Sequence, residues 1–150
     1  MSTTTEDGRR GDDVGVRSLR WPSAAFAVGL SVHGADHLRR GMAAVPHSIM
    51  IAGTVQIVLA AVAVTAVWQG RRWAAPVAAI VAWVSVVGFT YAHLLPSWWP
   101  AYSDSFTTGP RIGVTWSSWL SVAAELATAS VLGLAATRVA ARRPSPRAER

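Results

Sequence analysis

The sequence predicts an all-α, polytopic membrane protein: an antiparallel bundle of four transmembrane helices with the N and C termini cytoplasmic. Four apolar segments, about 21–40, 45–68, 73–95 and 115–136, carry this reading. Each has roughly 20 residues or more, the length that crosses ~30 Å of hydrocarbon at ~1.5 Å per residue. Of the 150 residues, 51% are hydrophobic and 15% charged, which fits one unit built of apolar helices. Arginines and tryptophans gather at the segment ends, as topology and membrane interfaces require.

Residues 1–20 mix Glu6, Asp7, Asp12 and Asp13 with Arg9, Arg10, Arg17 and Arg20, show no apolar period, and read as a disordered cytoplasmic tail. The stretch is too long and acidic for the n-region of a signal peptide, and no small-residue cleavage site follows the next apolar run. The first helix is therefore expected to be retained. Trp21, Pro22 and Ser23 start it and Gly41 stops it. It is a weak span by hydropathy, because His33, Asp36 and His37 occupy its last third.

The second helix begins near Val45 and Pro46 and ends at Trp68 before an Arg71-Arg72 link; the third runs from Trp73 to about Leu95. The outer loop 97–114 holds Trp98, Trp99, Pro100, Tyr102, Asp104, Phe106 and Pro110 and is placed as a cap on the outer mouth. The fourth helix follows, and residues 138–150 form a basic, disordered cytoplasmic tail. Ala75 with Ala79, Ala78 with Ala82 and Ala123 with Ala127 are small residues at helix-packing intervals, where backbones can approach closely.

Arginine placement sets the orientation. Four arginines lie in residues 1–20, two in the Arg71-Arg72 link and five in 138–150, against Arg39, Arg40 and Arg111 in the remaining loops. Both termini thus read as cytoplasmic, in a multi-pass protein of the plasma membrane. Trp21, Trp68 and Trp73 then mark the inner interface, and Trp98, Trp99, Trp116 and Trp119 the outer one. The charge of +6 comes from fourteen arginines without a lysine, placed at segment ends rather than along a folded basic face, so nucleic acid is set aside. The absence of cysteine excludes disulfides, a C-x-x-C pair, iron–sulfur ligation and a thiol nucleophile.

Chemistry concentrates in Val32-His33-Gly34-Ala35-Asp36-His37-Leu38-Arg39-Arg40. On a helix His33 and His37 are i and i+4, His33 and Asp36 are i and i+3, and Asp36 and Arg40 are i and i+4, so one stripe carries all four. Asp36 and Arg40 read as an ion pair near the headgroups. Counting from the outer ends at about 1.5 Å per residue puts His37 and His93 within a turn of the surface, with His33 and Glu125 roughly 10–14 Å down. Two levels are expected: His37 meeting His93 above, and His33 pairing with Glu125 below.

A carboxylate in mid-helix costs roughly 2.5–3.5 kcal/mol on insertion scales, so Glu125 is expected to be shielded from lipid and paired, protonated or functional. Ser118, Ser121, Glu125 and Thr128 share one face of the fourth helix; Ser85, Thr90 and His93 share one on the third; Gln56 lies near mid-membrane on the second, with Gly53 and Ala60 beside it. His47 falls on the opposite side of its helix from Gln56 and is left outside the site.

The candidate cofactor ligands are His33, His37 and His93. Imidazole suits Zn, Cu and Fe, and an i, i+4 pair can share one ion that Asp36 or Glu125 completes or orients. Haem b is the version needing fewest residues, with one histidine of the first helix and His93 as axial ligands. The histidine reading has a bland counterpart: a structural accessory subunit in which polar residues only lock helices together, alone or as a homo-oligomer or partner of another membrane protein. A proton or small-solute pathway through His33 and Glu125 would need an oligomer. An enzyme acting on its own is the less favoured reading, and the lipid bilayer is the one partner common to all.

The run from Gly29 to Gly88, with His33-Gly34, a cationic end to the first helix, Gly53 in the second and the Arg71-Arg72 link, resembles small four-helix membrane proteins of the DoxX type. The resemblance covers helices one to three. It implies a compact bundle linked to redox or quinone partners in the membrane.

Overall fold

A computed structural model of the protein describes residues 15–41, 43, 45–108 and 111–142, and these residues are helical with no strand among them. Four long helices form in chain order: α1, Arg20–Arg40; α2, His47–Trp68; α3, Ala74–Phe89; and α4, Trp116–Ala141. A π-helical turn, Thr90–Leu94, extends α3, and a short 3₁₀ turn, Pro100–Tyr102, interrupts the long connection to α4.

Contacts between chain ends give the bundle its directions. Arg20 Nη2 donates to Trp68 O at 3.1 Å, so the start of α1 meets the end of α2. Arg39 Nη2 donates to Ser118 Oγ at 3.0 Å, placing the end of α1 beside the start of α4. Trp83 Nε1 donates to Thr137 Oγ1 at 3.2 Å across α3 and α4. Chain neighbours therefore run antiparallel, and α1 and α3 run the same way on the diagonal.

Three helices are long and apolar enough to cross a membrane: His47–Trp68, Ala74–Leu94 and Trp116–Ala141. α1 has 21 residues but falls short in hydropathy, because it buries His33, Asp36 and Arg40 among its apolar positions. The core consists of small side chains, with Ala60, Ala63 and Ala66 of α2, Ala74, Ala75, Ala78 and Ala82 of α3, and Ala129, Leu132 and Ala136 of α4 packed around Phe26. Such surfaces let backbones come close where an apolar solvent gives helices no hydrophobic reason to associate.

Packing reaches beyond the expected segment ends on both sides. Residues 15–17 are helical, and Val16 and Leu19, expected in a disordered tail, are buried in the core cluster. Their i, i+3 spacing is an apolar face one turn long, too short to register between Arg17 and Arg20. α4 likewise continues to Ala141 rather than ending near 136, because Val139 and Ala140 pack on the same cluster. The remainder of both tails lies outside the described residues.

The bundle is tight on one side and open on the other. A methyl group at Gly29 would overlap Thr128 Oγ1 and stand 3.2 Å from Glu125 Cα, so α1 and α4 touch backbone to backbone there. A methyl at Gly34, Gly53 or Gly88 would meet nothing within 4 Å. Gly29→Ala is accordingly expected to lower stability by about 1–3 kcal/mol through overpacking. Gly53→Ala should be neutral or slightly stabilising, since only helix propensity changes. Thermal unfolding of the two variants in one detergent checks the contrast.

Candidate functional site

The first helix presents its histidines as expected of an i, i+4 pair. Gly41, at φ 89°, ends α1 and closes on the carbonyls of His37 and Leu38. Arg39 and Arg40 are thereby held at the helix end, just above the two imidazoles. From the diagonal helix, His93 enters within the π-helical turn, whose widened ring is closed by Leu95 N donating to Thr90 O at 3.1 Å.

The three imidazoles form one cluster. His33 and His37 face each other through Nε2 atoms 3.0 Å apart, with ring centroids at 4.6 Å. His93 lies 4.8 Å from the His33 ring and 5.6 Å from the His37 ring. One potential ligand atom from each residue lies within 4.8 Å of the other two. Phe89 and Phe106 pack on the cluster, at 4.9 Å from His33 and 4.8 Å from His93.

Each ring also turns Nδ1 toward a carboxyl-bearing residue. His93 Nδ1 is 3.1 Å from Asp104 O, which makes it the protonated donor and leaves the Nε2 lone pair free. Asp104 Oδ2 stands 3.9 Å from His37 Nδ1 and 3.7 Å from His93 Nδ1, while Glu125 Oε2 stands 3.8 Å from His33 Nδ1. A hydrogen bond at Nδ1 fixes ring orientation and favours the tautomer whose Nε2 is a ligand; His93 has one, while the carboxylates beside His33 and His37 stand beyond hydrogen-bond reach. The Nε2 proton shared by His33 and His37 can move to an Nδ1 that already faces an oxygen.

Asp104 is held by Arg40 and the backbone. Arg40 Nη1 and Nη2 donate to its two carboxylate oxygens at 2.5 and 2.7 Å, and Arg40 Nε donates to Ile112 O at 3.0 Å. The guanidinium also lies over Phe106, 5.1 Å from the ring centroid. Asp104 N donates to Ala92 O at 3.0 Å and Phe106 N to His93 O at 2.8 Å. The loop is therefore fastened directly beside the histidines.

Glu125 is 0% exposed, and neither carboxylate oxygen has a hydrogen-bond partner among the described residues. His33 Nδ1 and His37 Nδ1 are equally without one. An isolated buried carboxylate is costly, which makes the His33 side of Glu125 the place where a proton or a cation would be most stabilising.

Below the cluster opens a cleft of about 770 Å³ between α1, α2 and α3, lined by His33, His37 and His93 together with Leu30, Gly34, Ile49, Gly53, Ile57, Val84, Gly88 and Phe89. Gln56 also lines it, tied by Nε2 to Ser85 Oγ.

Several expected members lie elsewhere. Asp36 does not pair with Arg40 and does not join the imidazoles: Arg39 takes its Oδ1, with Nη2 at 2.9 Å, while Arg40 reaches the loop. The i, i+3 partner wins because Asp104 offers Arg40 both oxygens in a bidentate fork. Ser118, Ser121 and Thr128 are on the α1–α4 side rather than on the cleft. Ser118 accepts from Arg39, Ser121 donates to Ser118 O at 2.8 Å, and Thr128 donates to Ala124 O at 2.8 Å. The two expected levels merge into one, since rings one turn apart touch edge to face, and His93 reaches both. His37 and His93 are the most separated pair of the three, so His33 is an equal member of the cluster.

Asp104 is the residue that sequence reasoning missed. It is the one acidic residue in loop 97–114, opposite a helix end carrying two arginines, and that charge complement was the available signal. Comparison with protein-family models, with curated proteins and with solved structures gave no match to this chain.

Breaking the Arg40–Asp104 pair leaves a buried charge without its partner, a loss of about 3–5 kcal/mol. Asp104→Asn and Arg40→Met are each expected to lower the unfolding temperature and to speed proteolysis within loop 97–114. Rapid cleavage elsewhere with an intact loop would contradict the fastening.

Proposed function

We propose that this chain is a small integral protein of the plasma membrane whose His33, His37 and His93 bind one divalent transition metal near the outer face. The observation that carries the reading is the convergence of three imidazoles, each backed at Nδ1 by Asp104 or Glu125. Three nitrogens at about 2.0–2.1 Å from one zinc lie about 3.4 Å from one another; here the His33 and His37 Nε2 atoms are 3.0 Å apart and all three ligand atoms lie within 4.8 Å, so modest ring rotations would bring them to that spacing. Three histidines leave a fourth position, and the cleft is the space on that side. A single ion suits the cluster better than haem, because axial imidazoles must stand on opposite faces of a macrocycle that the third ring here would obstruct. The accessory-subunit reading is the alternative in which the same contacts only fix helix packing.

The membrane placement rests on the three apolar helices and on seven exposed tryptophans near the helix ends, with α1, packed beside them, read as a fourth crossing. With the arginine distribution, these support cytoplasmic termini and an outer loop 97–114. Reporter fusions after Arg150 and within the loop at Ser105 should give opposite signals. Equal signals mean that α4, the one long helix between the two positions, does not cross.

Cobalt or zinc titration of the detergent-purified protein tests the site. Saturable one-to-one binding is expected, weakening as pH falls because protons compete for the same lone pairs. His33→Ala, His37→Ala and His93→Ala should each abolish it or weaken it at least 100-fold. Glu125→Gln, which changes only what stands behind His33, should cost about 10-fold or more. Unchanged affinity in all three histidine variants leaves the packing role alone.

A further inference from the structure

The cleft below the histidines has the chemistry of a site for one amphiphile. Its length can be read from α2, where lining residues run from Ser48 to Ile57, nine residue steps or about 13 Å at ~1.5 Å per residue. The volume of about 770 Å³ falls in the roughly 300–1,000 Å³ range of small-molecule sites. Three different helices each contribute a glycine to the wall, Gly34, Gly53 and Gly88, and at none would a methyl meet another atom. Helix packing does not demand glycine at these positions. The width of the cleft is what their missing side chains preserve.

Polarity is confined to one end. Along the wall, Ser31, Thr54 and Ser85 spend their hydroxyl protons on the carbonyls of Ala27, Met50 and Val81, Ser48 spends its own on Ala101, and Gln56 is bound to Ser85. An occupant of the long wall is offered almost no donors. At the histidine end, His33 is 3% exposed and its Nδ1 is unpartnered, and all three imidazoles line the cleft. Asp36 and Asp104, the nearby acids at the helix end, are already occupied by Arg39 and Arg40. Glu125 faces His33 at Nδ1 while the His33 Nε2 turns to His37, so a divalent ion held by the three imidazoles would keep one open position, which an anionic oxygen completes.

The geometry points to a long-chain carboxylate as the ligand of this cleft, its acyl chain between α1, α2 and α3 and its carboxylate on the histidine-bound metal. This inference rests on the metal reading proposed above. An acyl chain of the bilayer could enter the same wall without a carboxylate, so the test separates the two.

The protein is placed in phosphatidylcholine nanodiscs and loaded with cobalt, whose visible absorption reports its fourth ligand. Laurate, acetate and methyl laurate are titrated into wild type, Gly53→Val and Gly88→Val. Laurate should shift the cobalt band in wild type at a concentration at least 10-fold lower than in either glycine variant, whereas acetate should act equally on all three. Methyl laurate should neither shift the band nor compete. Because laurate also concentrates in the bilayer, a preference over acetate in wild type alone does not support the site; equal laurate response in wild type and both variants overturns it. Competition by methyl laurate as strong as by laurate assigns the cleft to neutral lipid tails and overturns it too. In both cases the cobalt band itself persists, and the metal reading stands. No cobalt band at all ends both readings.

Discussion

The buried fork between Arg40 and Asp104 is the interaction on which the histidine-bearing end of the molecule depends. It joins the end of α1 to a loop 64 residues further along the chain, and through Asp104 it reaches His37 and His93. A buried ion pair is a poor source of net stability, because desolvation consumes most of the Coulomb gain. Its contribution here is geometric. Two parallel hydrogen bonds fix both the direction of the guanidinium and the plane of the carboxylate, and the backbone N–H of Asp104 on Ala92 O prevents the loop from sliding. Without that anchor the Asp104 carbonyl would not meet His93, and the ring would be free to turn.

The two sides of the bundle divide the work. On one side α1 lies against α4, with Gly29 in backbone contact and the serines and threonine of α4 bonded to neighbouring carbonyls. On the other, α2 turns Ile51, Val55, Val58 and Val62 outward and leaves the cleft between itself and α1. The rigid side supports the imidazoles and Glu125 from behind. The open side leaves space beside the imidazoles.

Much of this was legible in the residues. Apolar segment lengths gave the helices, and i, i+4 spacing put His33 and His37 on one stripe. Depth counting set His93 beside His37 and Glu125 beside His33, but on two separate levels that the structure merges into one. Two things escaped it. Hydropathy weighs residues one at a time and so could not see that Val16 and Leu19 join the core. Depth along a helix axis ignores side-chain reach and competing partners, which is why Asp36 was grouped with the imidazoles and Asp104 was not. The cleft was equally invisible, since a glycine facing empty space and one facing a backbone look alike in sequence.

The π-helical turn at Thr90–Leu94 gives α3 two phases. Upstream, Ala75, Ala78, Ala82 and Ser85 keep one face against the bundle. Were that α-helical rhythm continued, Ala92 would inherit the position and His93 would point about 80° away, at 100° per residue. The wider turn absorbs that angular surplus, and both Ala92 and His93 are buried. The helical span and the aim of the imidazole are thus set by separate parts of the same element. Sequence drift along the upstream face can alter how the helix seats without rotating His93, whereas tightening the turn to α-helical geometry with the same residues would swing the ring out of the cluster while leaving the length of the span almost unchanged.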